Sequence, residues 1–178
     1  MFYNRVAAIL ILFTIAGFAN GEETAANNEE SVSPCTHPED YREFDFWLGS
    51  WIVRLADGTE AGRNVIHKEQ AGCALIEQWT GRRGNTGISL NYFDPSANEW
   101  VQHWVDEQGT LIILRGGITG RSMILQGTIY DAARAQTNLL RGTWTPMDDG
   151  RVRQFFEESA DDGATWKEWF EGFYTRSD

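Results

Sequence analysis

Residues 86–109 read TGISLNYFDPSANEWVQHWVDEQG. From Thr86 to Phe93, Ile88, Leu90 and Tyr92 alternate with Ser89 and Asn91. From Glu99 to Val105, Trp100, Gln102 and Trp104 alternate with Val101, His103 and Val105. A period of two is that of a β-strand, whose successive side chains point to opposite faces. Asp94-Pro95 between the two runs is a turn signal: proline presets φ and aspartate accepts local backbone hydrogen bonds. The second run stops at Gln108-Gly109. The whole stretch therefore reads as an antiparallel hairpin.

The same pattern extends in both directions. Runs rich in Val, Ile, Thr and aromatics occupy residues 51–56, 62–69, 73–80, 110–116, 122–130, 139–145, 151–158 and 166–175. They are separated by tight signals such as Asp57-Gly58 and Asp149-Gly150, too short for a βαβ crossover. About ten consecutive antiparallel strands would leave two exposed sheet edges unless the sheet closed, and closure removes the aggregation hazard of an edge. The expected fold is an all-β, ten-stranded, antiparallel up-and-down barrel. One short N-terminal helix is expected over residues 36–49: Thr36 can cap, Pro38, Glu39 and Asp40 suit a first turn, and Gly49 can terminate. Tyr41, Phe44 and Leu48 would share its buried face.

The chain opens with Arg5, an uncharged run from Val6 to Ala19, and small residues at Ala19 and Gly21. That is the layout of a signal peptide over residues 1–21, and the run is short of the roughly 20 apolar residues that span a bilayer. No cysteine follows the expected cut to accept a lipid. Residues 22–34 (EETAANNEESVSP) form a flexible acidic leader, and residues 35–178 a single barrel domain. The expected product is soluble, periplasmic or extracellular, with no membrane association once the signal is removed. The net charge of −11 makes nucleic acid and anionic lipid poor partners. Cys35 and Cys73 are the only cysteines. In an oxidising compartment they are expected to pair, a cross-link worth roughly 4 kcal/mol in the chain-entropy description.

Gly49-Ser50-Trp51 resembles the G-x-W that opens the first strand of lipocalins and related calycins. With FDFWLGSW, GCALIEQW, GISLNYFDP, WVQHWVDEQG, RGTWTP, DGRVRQFFEES and DGATW in that order, the chain resembles a family of uncharacterised exported bacterial proteins of calycin-like type. The resemblance implies a barrel and export, and it implies no activity. Haem-binding calycins of the nitrobindin type use a histidine near the C-terminus. The last histidine here is His103, so no haem, and no other cofactor, is expected.

Other signals are local. Ser159 to Trp166 fits the S-x-D-x-G-x-T-W pattern of an Asp box, and residues 92–95 with Asn98 and Trp100 look like part of a kelch repeat. Each occurs once, so both read as hairpin turns rather than propeller blades. Residues 87–91 (GISLN) lack the second glycine and the following helix of a nucleophile elbow. His37, His67 and His103 have no short ligand spacing, and no metal is expected.

Eight tryptophans in so small a chain are the informative excess. They can fill a core, or they can wall a site. Gln102 lies between Trp100 and Trp104, and Glu77 between Leu75 and Trp79. If the tryptophan faces point inward, each polar group needs a partner. Asn91, Arg141 near Trp144, and Gln154 between Val152 and Phe156 extend the set. The candidate ligand-binding residues are thus Glu77, Trp79, Asn91, Gln102, Trp104, Arg141, Trp144 and Gln154. The alternatives are that these groups satisfy one another, Glu77 with Arg141 for example, or face solvent. The leading expectation is a binding barrel for a small, partly apolar or aromatic ligand, within which Gln102→Leu would be tolerated by the empty protein. The others are an enzyme using Glu77 or Glu157 for sugar or ring chemistry, and a cell-envelope interaction domain with a filled core.

Overall fold

The structure, a computed structural model, describes residues 33–36 and 38–177. The expected signal peptide, the leader through residue 32, and His37 lie outside the described residues. Ten strands follow in order: β1 Gly49–Arg54, β2 Glu60–Glu69, β3 Ala74–Gly81, β4 Thr86–Asp94, β5 Glu99–Asp106, β6 Leu111–Thr119, β7 Ser122–Asp131, β8 Gln136–Pro146, β9 Val152–Ser159 and β10 Lys167–Arg176. Each pairs antiparallel with the next, and β1 pairs with β10 from Trp51↔Arg176 to Arg54↔Phe173, so the sheet is a closed barrel. All ten sequence segments fall on strands. The largest differences are three residues, at the end of β6, which runs to Thr119 rather than Gly116, and at the start of β8, which begins at Gln136 rather than Leu139.

The β2–β3, β4–β5, β6–β7 and β8–β9 connections share one end of the barrel with the start of β1. The segment before β1 covers that end. It is not the single capped helix expected over residues 36–49, but two 3-10 segments, Glu39–Arg42 and Asp45–Trp47. Thr36 caps nothing forward; its hydroxyl donates back to the Ser33 carbonyl at 2.5 Å. Burial explains the change. Phe44 and Trp47, three residues apart and both fully buried, stack at 4.9 Å between ring centres, and a tight 3-10 path brings side chains at that spacing together. Phe44 meets Trp100 and Trp144 edge-on at 5.6 and 5.3 Å. The Trp51 indole donates to the Trp47 carbonyl at 2.9 Å, and the Trp100 indole to that of Asp40 at 3.1 Å. These rings, with Leu114, Met123, Leu125 and Leu140, fill the covered half of the barrel.

Cys35 and Cys73 are disulfide-bonded, with their Cα atoms 4.9 Å apart. The bridge ties the segment preceding the 3-10 turns to the residue that enters β3. No helix among the described residues is long and apolar enough to cross a membrane.

Candidate functional site

The far half of the barrel is not filled. A cavity of about 280 Å³ lies among Glu77 and Trp79 of β3, Gln102 and Trp104 of β5, Gln154 and Phe156 of β9, and Trp169, Phe170 and Tyr174 of β10. Its rim is formed by Asn85, Asp106, Gln108 and Thr110, at the β3–β4 and β5–β6 connections. Strand alternation places these groups. Leu75, Glu77 and Trp79 point inward on β3, as do Trp100, Gln102 and Trp104 on β5. Inward glycines make room for the rings. A Cβ on Gly62 would lie 2.7 Å from the Trp79 ring, and one on Gly87 would overlap Trp104. Glycine beside an inward aromatic on the adjacent strand is a recurrent barrel device.

Glu77 sits at the floor of the cavity, 4% exposed. Asn64 of β2 donates from Nδ2 to Glu77 Oε1 at 2.6 Å, and the Ser89 hydroxyl of β4 donates to Oε2 at 2.6 Å. Behind Ser89 the chain of donors continues: Asn91 Nδ2 donates to Ser89 Oγ at 2.8 Å, and Gln102 Nε2 to Asn91 Oδ1 at 2.8 Å. On the other side Asn64 Nδ2 also approaches the Tyr174 hydroxyl at 3.3 Å, and that hydroxyl donates to Gln154 Oε1. A polar relay therefore crosses the interior from β5 to β9 with Glu77 as its central acceptor.

Burial pushes the Glu77 carboxyl up to about 7, against the opposing pull of the Ser89 and Asn64 hydrogen bonds. The Tyr174 hydroxyl is pushed well above its ordinary value, by burial first and the neighbouring Glu77 charge second. No basic side chain among the described residues forms an ion pair with Glu77; the ion pairs all lie elsewhere.

Of the eight residues singled out in the sequence, Glu77, Trp79, Gln102, Trp104 and Gln154 line the cavity. Asn91 is fully buried one layer below, where it holds Gln102 and Ser89. Trp144 is packed in the covered half against Phe44, Trp47 and Phe156 and does not line the cavity. Arg141 is on the outer wall. Its guanidinium pairs with Glu157 at 2.8 Å and lies 4.5 Å from the centre of the Trp166 ring. Arg141 and Trp144 are an odd number of residues apart on one strand, so they face opposite sides and cannot both point inward. The alternative pairing of Glu77 with Arg141 does not form, and Glu157, spent on Arg141, is outside the cavity. Asn64, Ser89 and Tyr174 were not singled out. Each shares its strand parity with a buried neighbour, Ile66, Asn91 and Gly172 respectively, and that is the signal that would have found them.

The second lining carboxylate, Asp106, accepts the Gln108 and Thr110 backbone N–H groups at 2.9 Å on Oδ1 and holds the β5–β6 turn. No family model matches the chain, and no curated protein matches it in sequence.

Proposed function

We propose that this is an exported small-molecule-binding barrel, of the calycin-like kind the sequence resembles, which holds a small, partly apolar or aromatic ligand in the aromatic-walled cavity. The observation carrying the reading is the unfilled half-barrel itself. A core selected only for stability would close around its tryptophans, because voids forfeit dispersion contacts. Here the void is bounded by apolar rings and a few fixed polar groups, the usual make-up of a small-ligand site, and its volume of about 280 Å³ lies just below the roughly 300–1,000 Å³ range of such sites, which suits a small ligand. The same void speaks against the filled-core interaction domain. The disulfide and the layout of residues 1–21 support export.

The test is recovery of the protein from its native producing cells, native mass spectrometry, then identification of any small molecule released on denaturation. A stoichiometric small molecule is expected, and it should perturb tryptophan fluorescence in the wild type and less so in Trp104→Phe. Protein that is recovered empty, with fluorescence indifferent to extracts of its native medium, would overturn the reading. A second reading, proton transfer to or from a sugar or isomerisable ring, is favoured by one feature: a carboxyl titrating near neutrality inside a sheltered cavity suits general acid–base work.

A further inference from the structure

We propose that the ligand taken by this cavity is a small organic ammonium ion with an apolar or aromatic body, its cationic nitrogen against Glu77 and its body among Trp79, Trp104 and Trp169. The inference rests on the binding reading above and names the ligand class. Three independent features of the lining carry it. First, the charges are of one sign: Glu77 and Asp106 are carboxylates, and among the described residues no Lys, Arg or His lines the cavity. An anionic ligand would enter a field of its own sign, and the chain as a whole carries −11.

Second, the walls are aromatic. Phe156 and Trp169 stack at 5.9 Å with their planes 24° apart, and Trp79 and Trp104, both half-buried, line the same space. Ring faces attract a desolvated cation, and cages of such rings are how proteins commonly hold alkylammonium groups. Third, the polar atoms left over suit a donor. Gln102 uses Nε2 on Asn91, so its Oε1 remains an acceptor without a protein partner among the described residues. Glu77 accepts one hydrogen bond on each oxygen, and a carboxylate can accept more. A buried carboxylate with hydrogen bonds but no countercharge is incompletely compensated. A bound ammonium supplies the missing charge.

The groups facing Glu77 are Asn64 of β2, Ser89 of β4 and the relay to Tyr174 of β10, so Tyr174 is its titratable neighbour and stays protonated near neutrality. His67 pairs with Glu69 and His103 stacks on Tyr92, both on the outer wall. Cation binding should therefore strengthen as Glu77 ionises.

The experiment is calorimetric titration of the ligand-stripped protein with three probes sharing one phenyl body: benzylammonium, benzyl alcohol and benzoate. At pH 8 benzylammonium is expected to bind at least tenfold more tightly than benzyl alcohol, and benzoate not to bind. Its affinity should fall several-fold between pH 8 and pH 5.5. In Glu77→Gln the preference for the cation over the alcohol should shrink to within about threefold, with the alcohol's own affinity little changed. That retained affinity separates a lost charge from a lost fold. Equal or tighter binding of benzyl alcohol or benzoate by the wild type would overturn the ammonium assignment while leaving a binding cavity. Binding of none of the three would overturn it as well, and the co-purified molecule would then decide the binding reading separately.

Discussion

At the scale of single residues, the interior is governed by which polar atoms are already spent. Gln102, read from sequence as an under-used group that leucine could replace, donates to Asn91 Oδ1 at 2.8 Å. Gln102→Leu would leave that oxygen buried without its donor, so we expect a loss of about 1–3 kcal/mol in chemical denaturation rather than a gain. An unchanged or raised midpoint would show that Asn91 finds another donor. Gly87 is constrained by its neighbour: a Cβ there would come within 2.5 Å of Trp104 Cη2. Gly87→Ala should cost about 1–3 kcal/mol through overpacking and displace the Trp104 ring, read as a shifted tryptophan emission maximum. A mutant with wild-type stability and emission would mean that the ring moves freely.

At the scale of elements, the β9–β10 hairpin shows a local signal surviving intact. Ser159 Oγ donates to Asp161 Oδ1 at 2.7 Å, and Asp161 accepts the Thr165 N–H at 2.8 Å and the Thr165 hydroxyl at 2.6 Å. These bonds, the Thr165 hydroxyl foremost, hold the Asp161 carboxyl down to about 2. Gly163 takes φ +89°, and the nearest atom to a Cβ there is 3.6 Å away. There is room for a side chain, but the backbone disfavours one. Gly163→Val should lower the melting temperature by an amount matching a strain of at least about 1–2 kcal/mol, and Gly163→Ala by less. Wild-type melting temperatures in both variants would show that the positive φ carries no cost here. This turn was legible because its pattern is closed within eight residues, from Ser159 to Trp166. The N-terminal helix was misread because its shape answers to rings it meets across the barrel, Trp100 and Trp144.

At the scale of the whole molecule, the buried Glu77 couples folding to pH. Its carboxyl titrates near 7 in the folded protein against 4.5 as the ordinary value, so the native state holds a proton that the unfolded chain releases. Stability from this group is fully present below pH 4.5 and falls as pH rises to about 7, by an amount on the order of 3 kcal/mol, then levels off. The depressed carboxyls, Asp161 among them, act in the opposite sense and only below their ordinary range, so the windows do not overlap. Stability measured by denaturant between pH 5 and 8 should decline in the wild type and run flatter in Glu77→Gln. In that variant Ser89, whose hydroxyl can turn, can accept from the new amide. A slope unchanged by the substitution would assign the decline to another group.

The alternation of residues, the spacing of turn signals and the pair of cysteines were enough to specify ten antiparallel strands, a closed sheet and one disulfide, because each follows from local chemistry or from counting. Which face of each strand turns inward was not local. In β4 hydropathy points the wrong way: Ile88 and Leu90 are 54% and 42% exposed, while Ser89 and Asn91 are buried. The register between strands imposes this, by setting Ser89 opposite Glu77 and Asn91 opposite Gln102. A polar group is buried at low cost only where neighbouring strands supply its partners. That supply, and the cavity left beside it, exists only once β2, β4, β5, β9 and β10 have come together around Glu77.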